Sequence, residues 1–233
     1  MSNMFPIKDR KVQFYSDKEV VEQYDKKRFG TKEGQWVNSR EIEACVNHLP
    51  SGLNAVIDAP VGTGRLSAAL LNKNLSVIGL DSSESMIEIA RAKLKDVDLV
   101  LGDIFHMPFP SNTFDASFCV RFTFHTDLLL DLFREEMRII RPGGYFVFDT
   151  IRWSPKTMIP KGSGSRLYSY SDDQVQKYLR KVGAEVARKE AMFILPTYAY
   201  SILPYSVVRL MKELERVWPQ SALSRVFWLA KKL

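Results

Sequence analysis

The chain has 233 residues, 45% hydrophobic and 26% charged, with two cysteines and a formal net charge of +6. These proportions exclude a collagen-like, coiled-coil, disulfide-scaffold or wholly disordered chain, and the length suits one well-buried α/β domain rather than two full-sized ones. Cys45 and Cys119 have no cysteine or histidine at metal-ligand spacing, which favours a reducing, cytoplasmic setting and no metal.

Charge appears at Lys8, Asp9, Arg10 and Lys11 before any apolar run, so the start does not read as a signal peptide. A first helix is expected over 16–27, where Ser16 and Glu19 offer a capping box and Val20, Val21 and Tyr24 share a face. A second is expected over 39–48 from the helical spacing of Ile42, Cys45, Val46 and Leu49, stopped by Pro50-Ser51-Gly52. Strand and helix then alternate. A strand from Ala55 ends at Asp58, a glycine turn follows, and a helix covers 66–71. The next strand, 76–80, ends at Asp81 before an amphipathic helix over 83–93, and the strand at 97–101 ends at Gly102-Asp103. A fourth strand covers 114–120, a helix over 128–140 stops at Arg141-Pro142-Gly143-Gly144, and a fifth strand covers 145–151. Ser171-Asp172-Asp173 caps a helix to 182, ended by Gly183. Strands over 184–194 and 225–231 flank a helix over 205–217. Short apolar strands with helical crossovers specify an α/β fold with a mostly parallel, doubly wound sheet and helices on both faces.

Asp58, Asp81 and Asp103 end three successive strands and so line one crevice at the carboxyl edge of such a sheet. The loop Asp58-Ala59-Pro60-Val61-Gly62-Thr63-Gly64-Arg65 lets the backbone turn tightly and approach a ligand. A glycine turn with an acid further on also describes a dinucleotide site. Against that, Asp58 precedes the glycines, where it repels a pyrophosphate and welcomes an ammonium group, and Asp103 suits an amino group. Each aspartate has the plainer alternative of a helix cap or solvated loop charge.

These segments together resemble class I S-adenosylmethionine-dependent methyltransferases. The stretch from Val56 to Gly64 resembles their first motif, with Pro60 where a first glycine is usual. Val77-Ile78-Gly79-Leu80-Asp81 through Ile87 resembles the second, and Gly102-Asp103-Ile104, Phe114-Asp115 and Ile140-Arg141-Pro142-Gly143-Gly144 resemble the later ones. The subgroup most similar is the type 11, ubiquinone/menaquinone-methyltransferase-like set. The resemblance implies a Rossmann-like sheet of seven strands with the last antiparallel, in a single domain over 1–233. In that arrangement 1–50 forms a helical cap over the cofactor, 51–151 the cofactor core, and 152–233 completes the sheet and covers the substrate.

It also implies site roles. Asp58 and the backbone from Ala59 and Pro60 to Gly62 and Gly64 would serve the methionine end of S-adenosylmethionine. Asp81 would accept from both ribose hydroxyls, Ser82 or Met86 would pack on adenine, and Gly102, Asp103 and Ile104 would meet the adenine edge, with Val120 also lining the cofactor. Tyr24 and Arg28, four apart on a covering helix, would reach the methionine carboxylate; the plainer reading is a surface arginine beside a half-buried tyrosine.

His125, after the fourth strand, is the candidate base, with a helix start or a bond to the cofactor as its alternative. Arg121 is the candidate orienter of an anionic substrate, with a structural salt bridge as its alternative. His106 reads as a loop residue. The uncharged stretch from Ala191 to Val208 holds Pro196 and Pro204, which argue against a membrane span. It reads either as an aromatic cap on the site mouth or as core. The expected acceptor is a small molecule, apolar or aromatic, giving S-adenosyl-L-homocysteine as co-product. RNA or protein acceptors and a non-catalytic binding subunit are the alternatives. Basic residues are scattered, so nucleic acid is disfavoured and peripheral membrane contact stays open, as does oligomeric state.

Overall fold

A computed structural model describes residues 24–152, 167–200 and 203–233. Two helices come first, α1 (Tyr24–Phe29) and α2 (Lys32–Val46). β1 (Ala55–Asp58), α3 (Arg65–Leu71), β2 (Ser76–Asp81), α4 (Glu84–Lys93), β3 (Asp98–Leu101) and β4 (Phe114–Cys119) follow. α5 (Leu129–Ile139), β5 (Ile140–Ile151), α6 (Asp172–Lys181), β6 (Ala184–Met192), α7 (Thr197–Tyr200), α8 (Tyr205–Glu215) and β7 (Arg225–Lys232) complete the order. The seven strands form one sheet in the order β3-β2-β1-β4-β5-β7-β6. β7 runs antiparallel to both of its neighbours, and β1 to β5 pair in parallel. The Rossmann-like sheet with its last strand reversed is therefore present.

Successive strand residues serve opposite faces, as the pleat requires. Val56 and Val147 join the core cluster beneath α2, α3 and α4, whereas Ile57, Phe146 and Phe148 join the one beneath α5 and α6. Both faces are covered, which is why β1 and β2 read as continuous apolar runs rather than alternating ones.

The expected boundaries shift in a few places. The expected first helix falls mostly outside the described residues, and its described part runs on to Phe29. α2 begins seven positions before the expected Ser39. Thr31 caps it, its hydroxyl accepting from the Gly34 N–H at 3.1 Å. Gly34 sits inside the helix because α1 crosses there: a Cβ would lie 2.4 Å from the Arg28 carbonyl oxygen. Such a glycine reads as a breaker in sequence, although here close packing demands it. β5 starts at Ile140 rather than Tyr145, since Ile140 already pairs with Phe114 before an irregularity restores the register.

Candidate active site at the carboxyl edge of the sheet

Strand order reverses between β1 and β4, and ligands of open α/β sheets bind outside the carboxyl ends at such a switch point. Asp58 closes β1 there, 2% exposed, and accepts a 2.7 Å hydrogen bond from the Ser67 hydroxyl of α3. Burial pushes its carboxyl up to about 7, against the opposing pull of Ser67 and of the Arg65 charge. The loop that follows is stitched to both neighbouring strands. The Ala59 N–H donates to the Phe118 carbonyl of β4 at 2.9 Å, and the Val61 N–H to the Leu80 carbonyl of β2 at 2.8 Å. The Ala59-Pro60 peptide is cis. Gly62 and Gly64 both have positive φ, and they serve different ends. A Cβ on Gly62 would meet no atom within 4 Å, so this backbone faces open space. One on Gly64 would lie 2.4 Å from the Leu94 side chain, so that glycine lets the loop pack against the chain end of α4.

Asp81, at the end of β2, joins the parts. One carboxylate oxygen accepts from the Gly62 N–H and the other from the Ser83 N–H, each at 2.9 Å. A carboxylate has about four acceptor sites, so it keeps capacity beyond these bonds for a ligand donor. Burial raises this carboxyl too, against those backbone bonds. Ser82 is exposed beside it, Met86 is buried, and the Gly102 N–H donates to the Asp81 carbonyl at 2.9 Å. Asp103 behaves differently. It is exposed and accepts within its own turn, from the Phe105 N–H at 3.0 Å and beside His106 Nδ1 at 3.2 Å, with Ile104 buried next to it. Those contacts match the loop-cap alternative.

α1 lies over the glycine loop. Asp25 accepts from the Thr63 hydroxyl at 2.9 Å and pairs with Lys93 of α4. Between them is a cavity of about 430 Å³ lined by Phe29, Asn38, Gly64, Arg65 and Leu94 among others. Arg28 is half-buried on this helix, and the Tyr24 side chain lies outside the described residues.

At the end of β4, Val120 is buried and Arg121 has φ of 65°. Its N–H donates to Asp149 of β5 at 2.6 Å, which holds this left-handed backbone in place. Its guanidinium grips Glu41 of α2 through Nε at 2.9 Å and Nη2 at 2.6 Å. Arg225, opening β7, pairs with both Glu41 and Asp149, and Arg65 reaches Glu41 at 3.2 Å. Burial alone would raise the fully buried Glu41 carboxyl, yet Arg121, Arg225 and Arg65 together pull it down to about 2. Arg121 thus takes the salt-bridge alternative. Glu41 was missed by sequence reasoning, although it stands four residues from both Val37 and Cys45 and so lies on the buried face of its helix.

His125 ends a short turn, Thr123–His125, on the same edge; it is half-buried with its ring 4.6 Å from Phe124. The aromatic stretch after β6 turns inward: Phe193 and Tyr200 are fully buried, with rings 5.9 and 5.5 Å from Trp36 of α2. These two residues take the core alternative, whereas Tyr205 of the same stretch is exposed.

Residues 57–148 match the family model described as a methyltransferase domain. A demethylmenaquinone methyltransferase of Symbiobacterium thermophilum is 31% identical over 137 residues, 55% of this chain and 54% of that one. The chain spans about half the length of the curated relatives it matches. Among solved structures, a methyltransferase in complex with the Trm112 activator of Haloferax volcanii aligns with a TM-score of 0.67 at 17% identity, covering 97% of this chain and 98% of that one. A geranyl diphosphate methyltransferase bound to GPP and sinefungin aligns at 0.63 and 21%, covering 84% and 78%. At these identities the structural likeness is one of fold.

Proposed function

We propose that this chain is a class I S-adenosylmethionine-dependent methyltransferase that moves a methyl group from that cofactor to a small-molecule acceptor, leaving S-adenosylhomocysteine. The observation that carries this reading is the joint between Gly62 and Asp81: a buried carboxylate with lone pairs to spare beside a backbone that faces open space. That donor set fits the group. Asp81 suits a diol, the exposed Gly62 backbone suits a close approach, and Asp58 suits an ammonium. When bound, the cofactor supplies the methyl group and its own sulfonium leaving group. The protein's share is to hold it on Asp81 and Asp58, to exclude water beneath α1, and to align the acceptor. Demethylmenaquinone and geranyl diphosphate, the molecules in the relatives' names, are small, which supports a small-molecule acceptor.

Calorimetry with S-adenosylmethionine, S-adenosylhomocysteine and NAD tests the cofactor. The first two are expected to bind; heat from NAD alone would sink the reading. Transfer of labelled methyl into a metabolite extract, followed by mass spectrometry, then finds the acceptor.

Asp58 gives the binding a pH signature. Its carboxyl titrates at about 7, and only the ionised form attracts an ammonium. Affinity is therefore expected to weaken about tenfold per pH unit below 7 and to level off above it. Asp58→Asn should bind weakly at every pH; a wild-type affinity that stays flat from acid to neutral pH refutes the role. His125 remains the proposed base for a hydroxyl acceptor. His125→Gln should keep cofactor affinity while turnover falls by ~10², and unchanged turnover removes that role.

A further inference from the structure

The geometry points to the outer face of α8 and the turn after it as a docking surface for an anionic lipid bilayer, a contact independent of the chemistry at the carboxyl edge. Tyr205 is 53% exposed, Leu210 57%, Val217 80% and Trp218 39%. These four make up most of the strongly exposed large apolar side chains among the described residues, and they fall within 205–218. Water normally confines such side chains to isolated positions. Here they follow one another along the chain: Tyr205 and Leu210 stand on the helix beside Arg209, and Val217 and Trp218 in the turn that follows its last residue, Glu215. Arg216 and Glu213 offset each other at 2.7 Å, and Glu215 turns inward to Arg40 at 2.9 Å, so Arg209 and Lys212 are the surplus cations of this segment. The inner side of α8 is anchored, with Val208 at 1% exposure in the core.

A helix fixed in the core at Val208 that, with the turn after it, offers leucine, valine, tyrosine, tryptophan and surplus cations to solvent has the make-up of an interfacial element. Tyrosine and tryptophan favour the headgroup level, short apolar side chains reach just below it, and the cations meet anionic lipid. A protein partner would favour a continuous apolar patch, whereas this one is divided by charge. The net charge of +6 adds long-range attraction of the same sign. The surface touches rather than spans, because among the described residues no helix is long and apolar enough to cross a membrane. It also sits close to the site: Arg40, which holds Glu215, immediately precedes Glu41, which holds Arg121.

Sedimentation of the full chain with phosphatidylcholine vesicles, with and without phosphatidylglycerol, tests this. Binding is expected only with phosphatidylglycerol and should be released near 1 M salt, where screening acts within about 3 Å. Arg209→Gln with Lys212→Gln should weaken binding by about 5-fold per charge. Leu210→Ser with Val217→Ser should weaken it about tenfold or more. All four side chains reach solvent, so thermal melts should match the parent, and Arg91→Gln on α4 should bind as the parent does. Wild-type protein that stays in the supernatant with anionic vesicles overturns the proposal, as does undiminished sedimentation of both double variants. A dimer by light scattering that Leu210→Ser dissociates would overturn it too, by assigning the surface to a second copy.

Discussion

Glu41→Gln is expected to cost the fold about 3–5 kcal/mol, read as a lower urea midpoint at unchanged slope. The change removes the carboxylate that Arg65, Arg121 and Arg225 have in common, and of those three guanidiniums only Arg225 also pairs with Asp149. Few single substitutions act so strongly, and this one does so because the charge left behind is largely buried, Arg225 most of all at 3% exposure. Arg134→Ala, by contrast, breaks a pair whose members are 64% and 53% exposed, and should cost about 1 kcal/mol or less. The acid limb gives a second readout. The Glu41 carboxyl is lowered from 4.5 to about 2, so its contribution is complete above 4.5 and is lost as pH falls through 2. Glu41→Gln should lack that part of the acid loss. Equal urea midpoints for parent and variant would show that the network is not what holds these elements together.

Asp81→Ala is expected to weaken S-adenosylmethionine binding by at least ~100-fold, since two hydrogen bonds from the ligand to one carboxylate are lost together. It also releases the Gly62 and Ser83 N–H groups, so the loop loses the partner that fixes it to β2. Asp103→Ala should cost about tenfold or less, because that carboxylate is exposed and already occupied by its own turn. Calorimetry on the two variants decides it. A larger loss at Asp103 would mean that the adenine edge, rather than the ribose, governs affinity.

The strand-end acids and the glycine loop were legible from the residues alone because their spacing is local: each acid closes a short apolar run, and the turn follows within a few positions. Most of the sheet was legible for the same reason, since β1, β2, β5 and β7 each carry an apolar stretch, whereas β6 is heavily charged. What stayed hidden is pairing across the chain. Arg121 reads equally well as a substrate contact or a salt bridge until α2 brings Glu41, eighty residues earlier, against it. The long start of α2 was hidden too, because Gly34 is required by the crossing of α1 and not by its own helix. Phe193 and Tyr200 read equally well as cap or core until Trp36 is placed against them.

The place of β7 has a consequence for how the molecule is made. It lies between β5 and β6, although β6 precedes it in the chain. A nascent chain that has not yet delivered Arg225 therefore has β6 with no neighbour to pair with, and Glu41 and Asp149 lack the guanidinium they share. The carboxyl edge cannot reach its final charge balance until that strand leaves the ribosome. Synthesis order thus makes this edge one of the last parts of the protein to set, however early its glycine loop is translated.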